Sequence, residues 1–161
     1  MTEGSRQGLI AAVGAATQAF QRSTDAFDDA VATRLGLNRA DLRCLDWLYD
    51  GPKTVGQIGA GTGLSSAATT ALVDRLERRK LVRRAPDPAD RRRVLCEMTE
   101  LGRRRTEEFY GPVAVEGAEL LERFDDGVLR AFREHLVAAA ELIDRHRARL
   151  REAPVVTPEE R

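Results

Sequence analysis

The chain has 161 residues, 42% of them hydrophobic, and 26 basic side chains balance 26 acidic ones to a formal net charge of zero. This composition excludes a disordered chain and suits one domain of ordinary size with helical extensions. No apolar run is long enough to cross a bilayer, no basic-then-apolar leader opens the sequence, and Cys44 and Cys96 are too few for a disulfide framework, so a cytoplasmic protein is expected. The zero charge is unevenly distributed. Residues 1–50 carry 5 basic and 7 acidic side chains, residues 51–105 carry 13 and 6, and residues 106–161 carry 8 and 13. A basic middle between acidic flanks is the asymmetry left by a local polyanion-binding surface.

In residues 7–35, Leu9, Val13, Ala16, Phe20, Phe27, Val31 and Leu35 recur at steps of three, four and seven, which predicts one long helix with an apolar stripe. Gly36 ends it, and Asn38 is the N-cap of a second helix whose apolar positions are Leu42, Leu45 and Leu48, with Trp47 to one side. Asp50-Gly51-Pro52 stops that helix. Thr54 and Gln57 form a capping box for a short third helix burying Val55 and Ile58, although Gly56, Gly59 and Gly61 weaken it. A turn, Gly61-Thr62-Gly63-Leu64, leads to Ser65, the cap of a fourth helix running to about Lys80 with Ala68, Leu72 and Leu76 inside.

Two strand-like runs follow, residues 81–85 and 94–98, joined by the polar, proline-punctuated loop 86–93, which predicts a hairpin. Thr99-Glu100 opens a helix with Leu101, Phe109, Leu120 and Leu121 apolar, which Gly111-Pro112 is expected to kink or split. Residues 126–151 form the last helix, with Phe132, Leu136, Ala140, Ile143 and Leu150 on one face. A disordered tail is expected over 153–161.

Helix, helix, short helix, helix and basic hairpin is the order of a winged helix-turn-helix, so the fold class is mainly α with a small β-hairpin wing. In that arrangement the second helix of the motif enters the DNA major groove by its N-terminal end. Ser65, Ser66, Thr69 and Thr70 stand there, small enough for close approach and able to donate to phosphates or base edges. Arg91, Arg92 and Arg93 in the hairpin loop suit phosphates or a narrow minor groove, where the negative potential is concentrated. Taken singly, Ser65 is an ordinary helix cap and an arginine run an ordinary solvated face. Their joint occurrence in one order carries the expectation.

The stretch from Leu37 to Arg105, with LNRADLRCLDWL, TVGQIGAGTGLSSAATTALVDRLERRKLVRR and PDPADRRRVLCEMTELGRR, resembles the MarR family of bacterial transcription regulators. The wing, Asp87-Pro88-Ala89-Asp90-Arg91-Arg92, followed by Met98-Thr99-Glu100-Leu101-Gly102, is the most specific part. The resemblance implies that Arg92 enters the minor groove with Asp90 as its structural partner, and that Arg75 and Arg84 are basic positions tied to DNA binding. It departs from the family at Ala71, where many members carry Arg, and at Lys80, where a Gly usually ends the helix. The family's homodimeric habit implies a dimerisation helix in 1–36, a DNA-binding lobe in 37–105 and dimerisation helices in 106–152, reading a palindromic operator on double-stranded DNA. It further implies a repressor released by a small, often aromatic effector, for which Phe27, Trp47, Phe109 and Tyr110 are the candidate lining.

No cofactor, metal site or membrane partner is expected. The glycine-rich stretch 56–63 has no lysine after it, which argues against a phosphate loop, and His135 and His146, eleven residues apart, are too far apart along one helix to share a metal. The chain is read as a non-enzyme. Two alternatives stand beside the regulator: a winged-helix module that binds protein rather than specific DNA, and a redox-responsive regulator using Cys44.

Overall fold

The computed structural model describes residues 5–152, so the tail expected over 153–161 lies outside the described residues. Contacts divide the chain into one unit ending at Pro112 and another beginning at Val113.

The first unit opens with α1 (Arg6–Leu35), whose cap Ser5 accepts a hydrogen bond from the Gly8 N–H at 3.1 Å. The helix ends on Gly36 in the left-handed region, φ 63°, where Gly36 N–H donates to Thr33 O and Leu37 N–H to Ala32 O. These paired bonds satisfy carbonyls that would otherwise be orphaned. Asn38 at once caps α2 (Arg39–Tyr49) in a reciprocal box with Asp41: the Asp41 N–H donates to Asn38 Oδ1 at 2.9 Å and the Asn38 N–H to Asp41 Oδ2 at 3.2 Å. The expected box of Thr54 and Gln57 opens α3 (Val55–Thr62). Gly63 closes α3 at φ 77°, and Ser65 caps α4 (Ser66–Arg78). Strands β1 (Val82–Pro86) and β2 (Val94–Met98) pair antiparallel, with Arg83 opposite Glu97 and Arg84 opposite Cys96.

The core of this unit gathers Cys44, Leu45 and Leu48 from α2, Ile58 from α3, Leu72, Val73 and Leu76 from α4, and Leu81, Val82, Cys96 and Met98 from the hairpin and its entry. Each such apolar side chain contributes about 1.5–3 kcal/mol relative to leaving it exposed. The glycines of α3 have a packing reason. A Cβ on Gly61 would lie 2.3 Å from the Trp47 indole, and one on Gly59 would lie 3.0 Å from Thr69 Oγ1. The lost helix propensity, about 1 kcal/mol per glycine, is the cost of bringing α3 this close to α2 and α4.

The structure departs from the sequence reading at five places. Gly61 and Thr62 belong to α3, so the turn is shorter than expected. Strand β1 starts at Val82 and includes Pro86. The inner face of α4 is Thr69, Leu72, Val73 and Leu76, while Ala68 is exposed. Both sets fit the helical period, and the close packing of Gly59 against Thr69 selects the one containing Thr69. Of the kink or split expected at Gly111-Pro112, the split is absent: helix α5 (Glu100–Leu121) continues through Pro112, because proline removes one hydrogen bond from a ladder that has many on either side. Finally, Lys53 adds a rung to the hairpin, exchanging backbone hydrogen bonds with Cys96 at 2.9 and 2.7 Å.

In the second unit, Asp125 caps α6 (Asp126–Glu152) by accepting from the Val128 N–H at 2.9 Å. None of the described residues from Val113 onward is buried within the chain. Val128, Phe132, Leu136, Val137, Leu142, Ile143 and Leu150 all stand exposed.

Lys80 ends α4 as Gly36 ends α1. Lys80 N–H donates to Glu77 O at 2.8 Å and Leu81 N–H to Leu76 O at 3.0 Å, but here a side-chain-bearing residue occupies φ 61°. Lys80→Gly relieves that conformation at the expense of a more flexible unfolded chain, and is expected to stabilise the fold by about 0.5–1 kcal/mol. Thermal unfolding checks this; an unchanged or lower midpoint would show that the turn is not strained.

Candidate nucleic-acid interface

The N-terminal turns of α4 present Ser65, Ser66 and Thr70 on the surface together with Ala67 and Ala71. Thr69, grouped with them from sequence, is fully buried, and its hydroxyl donates to Ser65 O at 2.8 Å. It faces the core beneath Gly59 and cannot reach a groove, which corrects its assignment. Thr70 Oγ1 donates to Ser66 O at 3.0 Å, leaving its oxygen lone pairs facing outward.

The wing loop is shaped by two aspartates. Asp87, nearly buried, accepts from the Ala89 N–H at 2.9 Å and faces Arg93 at 3.7 Å, while the Asp87 N–H donates to Arg93 O. Asp90 accepts from the Arg92 N–H through its carboxylate at 3.0 Å and from the Arg93 N–H through its backbone carbonyl. Asp90 and Arg92 are thus linked through the Arg92 backbone. The Arg92 guanidinium remains exposed, as does Arg91, and among the described residues neither has an ion pair. A polar turn held by short side-chain-to-backbone bonds presents these two cations at the hairpin tip.

The other basic residues singled out from sequence meet acidic partners. Arg75 forms a two-pronged ion pair with Asp41, which is 2% exposed, its Nε donating at 3.1 and 3.2 Å. That hydrogen bonding raises Arg75 above the ordinary guanidinium value. Arg84 pairs with Asp74 at 2.6 Å and with Glu77, fastening β1 to α4. Arg93 is engaged with Asp87. Arg75 and Arg84 therefore orient α4 and the hairpin from behind. Sequence reasoning missed Asp41, although Asn38 followed by an acid three residues on is a capping-box pattern, and it gave no sign of what Arg79 holds, because backbone carbonyl partners leave no signature.

Three of the four aromatics considered for an effector site come together. Phe27, Phe109 and Tyr110 pack on Val31, Ala32 and Leu42, with the Phe27 and Tyr110 rings edge to face at 5.4 Å between centroids. Tyr110 OH donates to Asp28 at 2.6 Å, and burial followed by this hydrogen bond pushes its pKa up. Trp47 packs against Gly61 and is not part of the cluster. Both cysteines are free and fully buried, and burial pushes the Cys44 thiol up to about 12. A thiol held in that way is a poor nucleophile and a poor redox sensor. His135 and His146 are exposed on α6.

Residues 35–93 match the MarR family. HTH-type transcriptional regulator YcgE of Bacillus subtilis (strain 168) is 33% identical over 85% of this chain and 92% of its own length. HTH-type transcriptional repressor NicR of Pseudomonas putida is 40% identical over 32% of this chain and 33% of its own. Among solved structures, a MarR family protein from Bacillus stearothermophilus superposes with a TM-score of 0.63 at 25% identity, covering 88% of this chain and 99% of that one.

Two outcomes follow from the burial pattern. Arg75→Met leaves the Asp41 carboxylate buried without its cation and is expected to destabilise the fold by about 1–3 kcal/mol in denaturant unfolding. An effect within error would mean that Asp41 is satisfied by the cap alone. An aromatic disulfide reagent should label neither cysteine of the native protein and both once it is unfolded. Rapid native labelling of Cys44 would restore the redox alternative.

Proposed function

The chain belongs to the MarR family of DNA-binding transcription regulators, and from that premise we propose that it is a homodimeric repressor that binds a palindromic operator and releases it when a small aromatic ligand binds. The observation carrying the DNA reading is the pair of exposed, unpaired wing guanidinium groups, Arg91 and Arg92, beside an α4 N-terminus bearing Ser65, Ser66 and Thr70. Small polar side chains allow α4 to approach base edges, and the wing cations neutralise phosphates or enter the adjacent minor groove. A two-fold dimer presents two such heads about 34–36 Å apart, one duplex turn.

The dimer reading is supported by Leu9, Ile10, Val13 and Phe20 on α1 and by the apolar residues of α6, all exposed within the single chain. Repression follows from occlusion, since a dimer covering a duplex turn excludes other proteins from it, and the NicR match points the same way. The effector reading draws on Phe27, Phe109 and Tyr110. A ligand wedged there changes the angle between α1, α2 and α5, and so favours a spacing of the heads that no longer fits successive grooves. No described helix is long and apolar enough to cross a membrane. In this reading the protein works where its operator DNA lies, in the cytoplasm.

Fluorescence anisotropy on duplexes flanking the protein's own gene, against a scrambled duplex, tests this reading. Tight, salt-sensitive binding that prefers the native duplex is expected. Replacing both Arg91 and Arg92 by Ala removes four cations per dimer, and is expected to weaken binding at least about tenfold and to flatten the slope of log K against log salt by about 2–4. Equal binding to both duplexes, or none at low salt, would overturn sequence-specific regulation and favour a protein-binding winged helix.

A further inference from the structure

The first unit contains a second arginine arrangement that the DNA reading does not use. Arg79, at the C-terminal end of α4, reaches back to the end of α1: Nη2 donates to Leu35 O at 2.6 Å and Nη1 to Gly36 O. One turn earlier, Arg75 grips Asp41. All partners of the two guanidinium groups thus lie in a seven-residue corner, Leu35 to Asp41, where α1 ends and α2 begins. The corner is itself braced. Asn38 and Asp41 cap each other, and Arg39 at the head of α2 turns back to Asp29 on α1, with Nη2 donating to Oδ2 at 2.9 Å.

The chemistry favours a clamp. The last carbonyls of a helix lack intrahelical donors and carry the negative end of its dipole, so a cation that also supplies two N–H groups meets both needs. A planar guanidinium can bond two carbonyls at once, which an ammonium cannot do with the same geometry. The corner also makes room for it. A Cβ on Gly36 would lie 3.2 Å from Arg79 Nη2, so a bare Cα there serves the approach of Arg79 as well as the left-handed turn. Arg78, the neighbouring cation on α4, is exposed and has no ion pair among the described residues.

We propose that Arg79 is the positioning residue that fixes α4 against the C-terminal end of α1, and through α1 sets the spacing of the two DNA-reading helices in the dimer. This rests on the dimeric DNA-binding reading above. Arg75 and Asp41 hold α4 to α2 within the lobe, whereas Arg79 holds it to the helix whose exposed apolar residues are assigned to the dimer seam. Loss of Arg79 leaves the lobe's core intact and loosens the lobe relative to the seam.

The test uses the full-length protein with Ala71→Cys as a spin-labelling site on α4, since Cys44 and Cys96 are fully buried. Pulsed electron resonance then reads the distance between the two labels. The background protein is expected to give one narrow distribution. Arg79→Met is expected to broaden it and, in unlabelled protein, to weaken operator binding on the order of tenfold, with circular dichroism and the salt slope unchanged. Arg79→Lys is expected to fall between. Arg78→Met, which removes the same charge from the same helix, is expected to leave the distribution narrow.

An unchanged distribution in Arg79→Met overturns the proposal, as does equal broadening in Arg78→Met. A salt slope lower by about 2, one lost contact in each protomer, would identify Arg79 as a phosphate contact instead and overturn it also. If the background protein gives no interlabel distance, the dimer reading itself falls and takes the proposal with it. If the distances behave as expected but no duplex is bound, the DNA-binding reading alone fails.

Discussion

The buried carboxylate of Asp41 is the constraint on which the DNA-binding lobe is organised. A charge that is 2% exposed is tolerated only when hydrogen bonds replace its water, and Asp41 has two sources of them. It accepts from the Asn38 N–H, which fixes where α2 starts, and from Arg75, which fixes how α4 lies across α2. The ion pair's net contribution to stability is small once desolvation is counted, but its geometry is demanding. Few placements of α4 keep both prongs of the guanidinium on that carboxylate while Leu72, Val73 and Leu76 face the core. The exposed Ser65, Ser66 and Thr70 inherit their direction from this arrangement.

Seven arginines around α4 and the hairpin divide into two populations with different physics. Arg75, Arg79, Arg83, Arg84 and Arg93 meet carboxylates or carbonyls, and their role is to hold helices and strands together. Arg91 and Arg92 meet none, and their charge is available to a polyanion. A count of basic residues treats them alike, so the excess in residues 51–105 overstates the field that DNA would feel. Pairing these arginines leaves Arg91 and Arg92 among the cations without an ion pair in the described residues, and in the proposed complex they stand where a narrow groove rewards charge most.

Much of the fold was legible because it is written in local chemistry. Asn38, Thr54, Ser65 and the turn at Gly36 each specify a helix end through bonds to residues three or four positions away, and the hairpin follows from its apolar runs and prolines. What escaped the sequence depends on which neighbour a residue meets in space. Ala68 and Thr69 fit the helical period equally well, and only the space beside Gly59 places Thr69 inside. The rung from Lys53 to Cys96 joins residues far apart in the chain. The carboxylate partners of Arg75 and Arg84 lie on other elements, so the sequence marks the two arginines as basic positions without showing what they hold. Trp47 seemed free to line a ligand site until Gly61 proved to be its packing partner.

The helices outside the lobe supply the remaining step. Isolated helices owe most of their stability in water to packing of an apolar face, and intrinsic propensity alone leaves them marginal. Helix α6 has 27 residues and no described side chain of it is buried within the chain, while Phe132, Leu136, Val137 and Ile143 recur at helical spacing on its surface. On α1, burial is confined to Val31 and Ala32, and the N-terminal turns leave Leu9, Ile10, Val13 and Phe20 exposed, Phe20 at 72%. A soluble monomer rarely leaves such long apolar stripes uncovered. A second copy of the same chain resolves this most simply, because a two-fold contact pairs each stripe with its own kind. In the proposed dimer, dimerisation and folding of these helices are one process, and the corner between α1 and α2 is where that process can reach α4, the proposed DNA-reading helix.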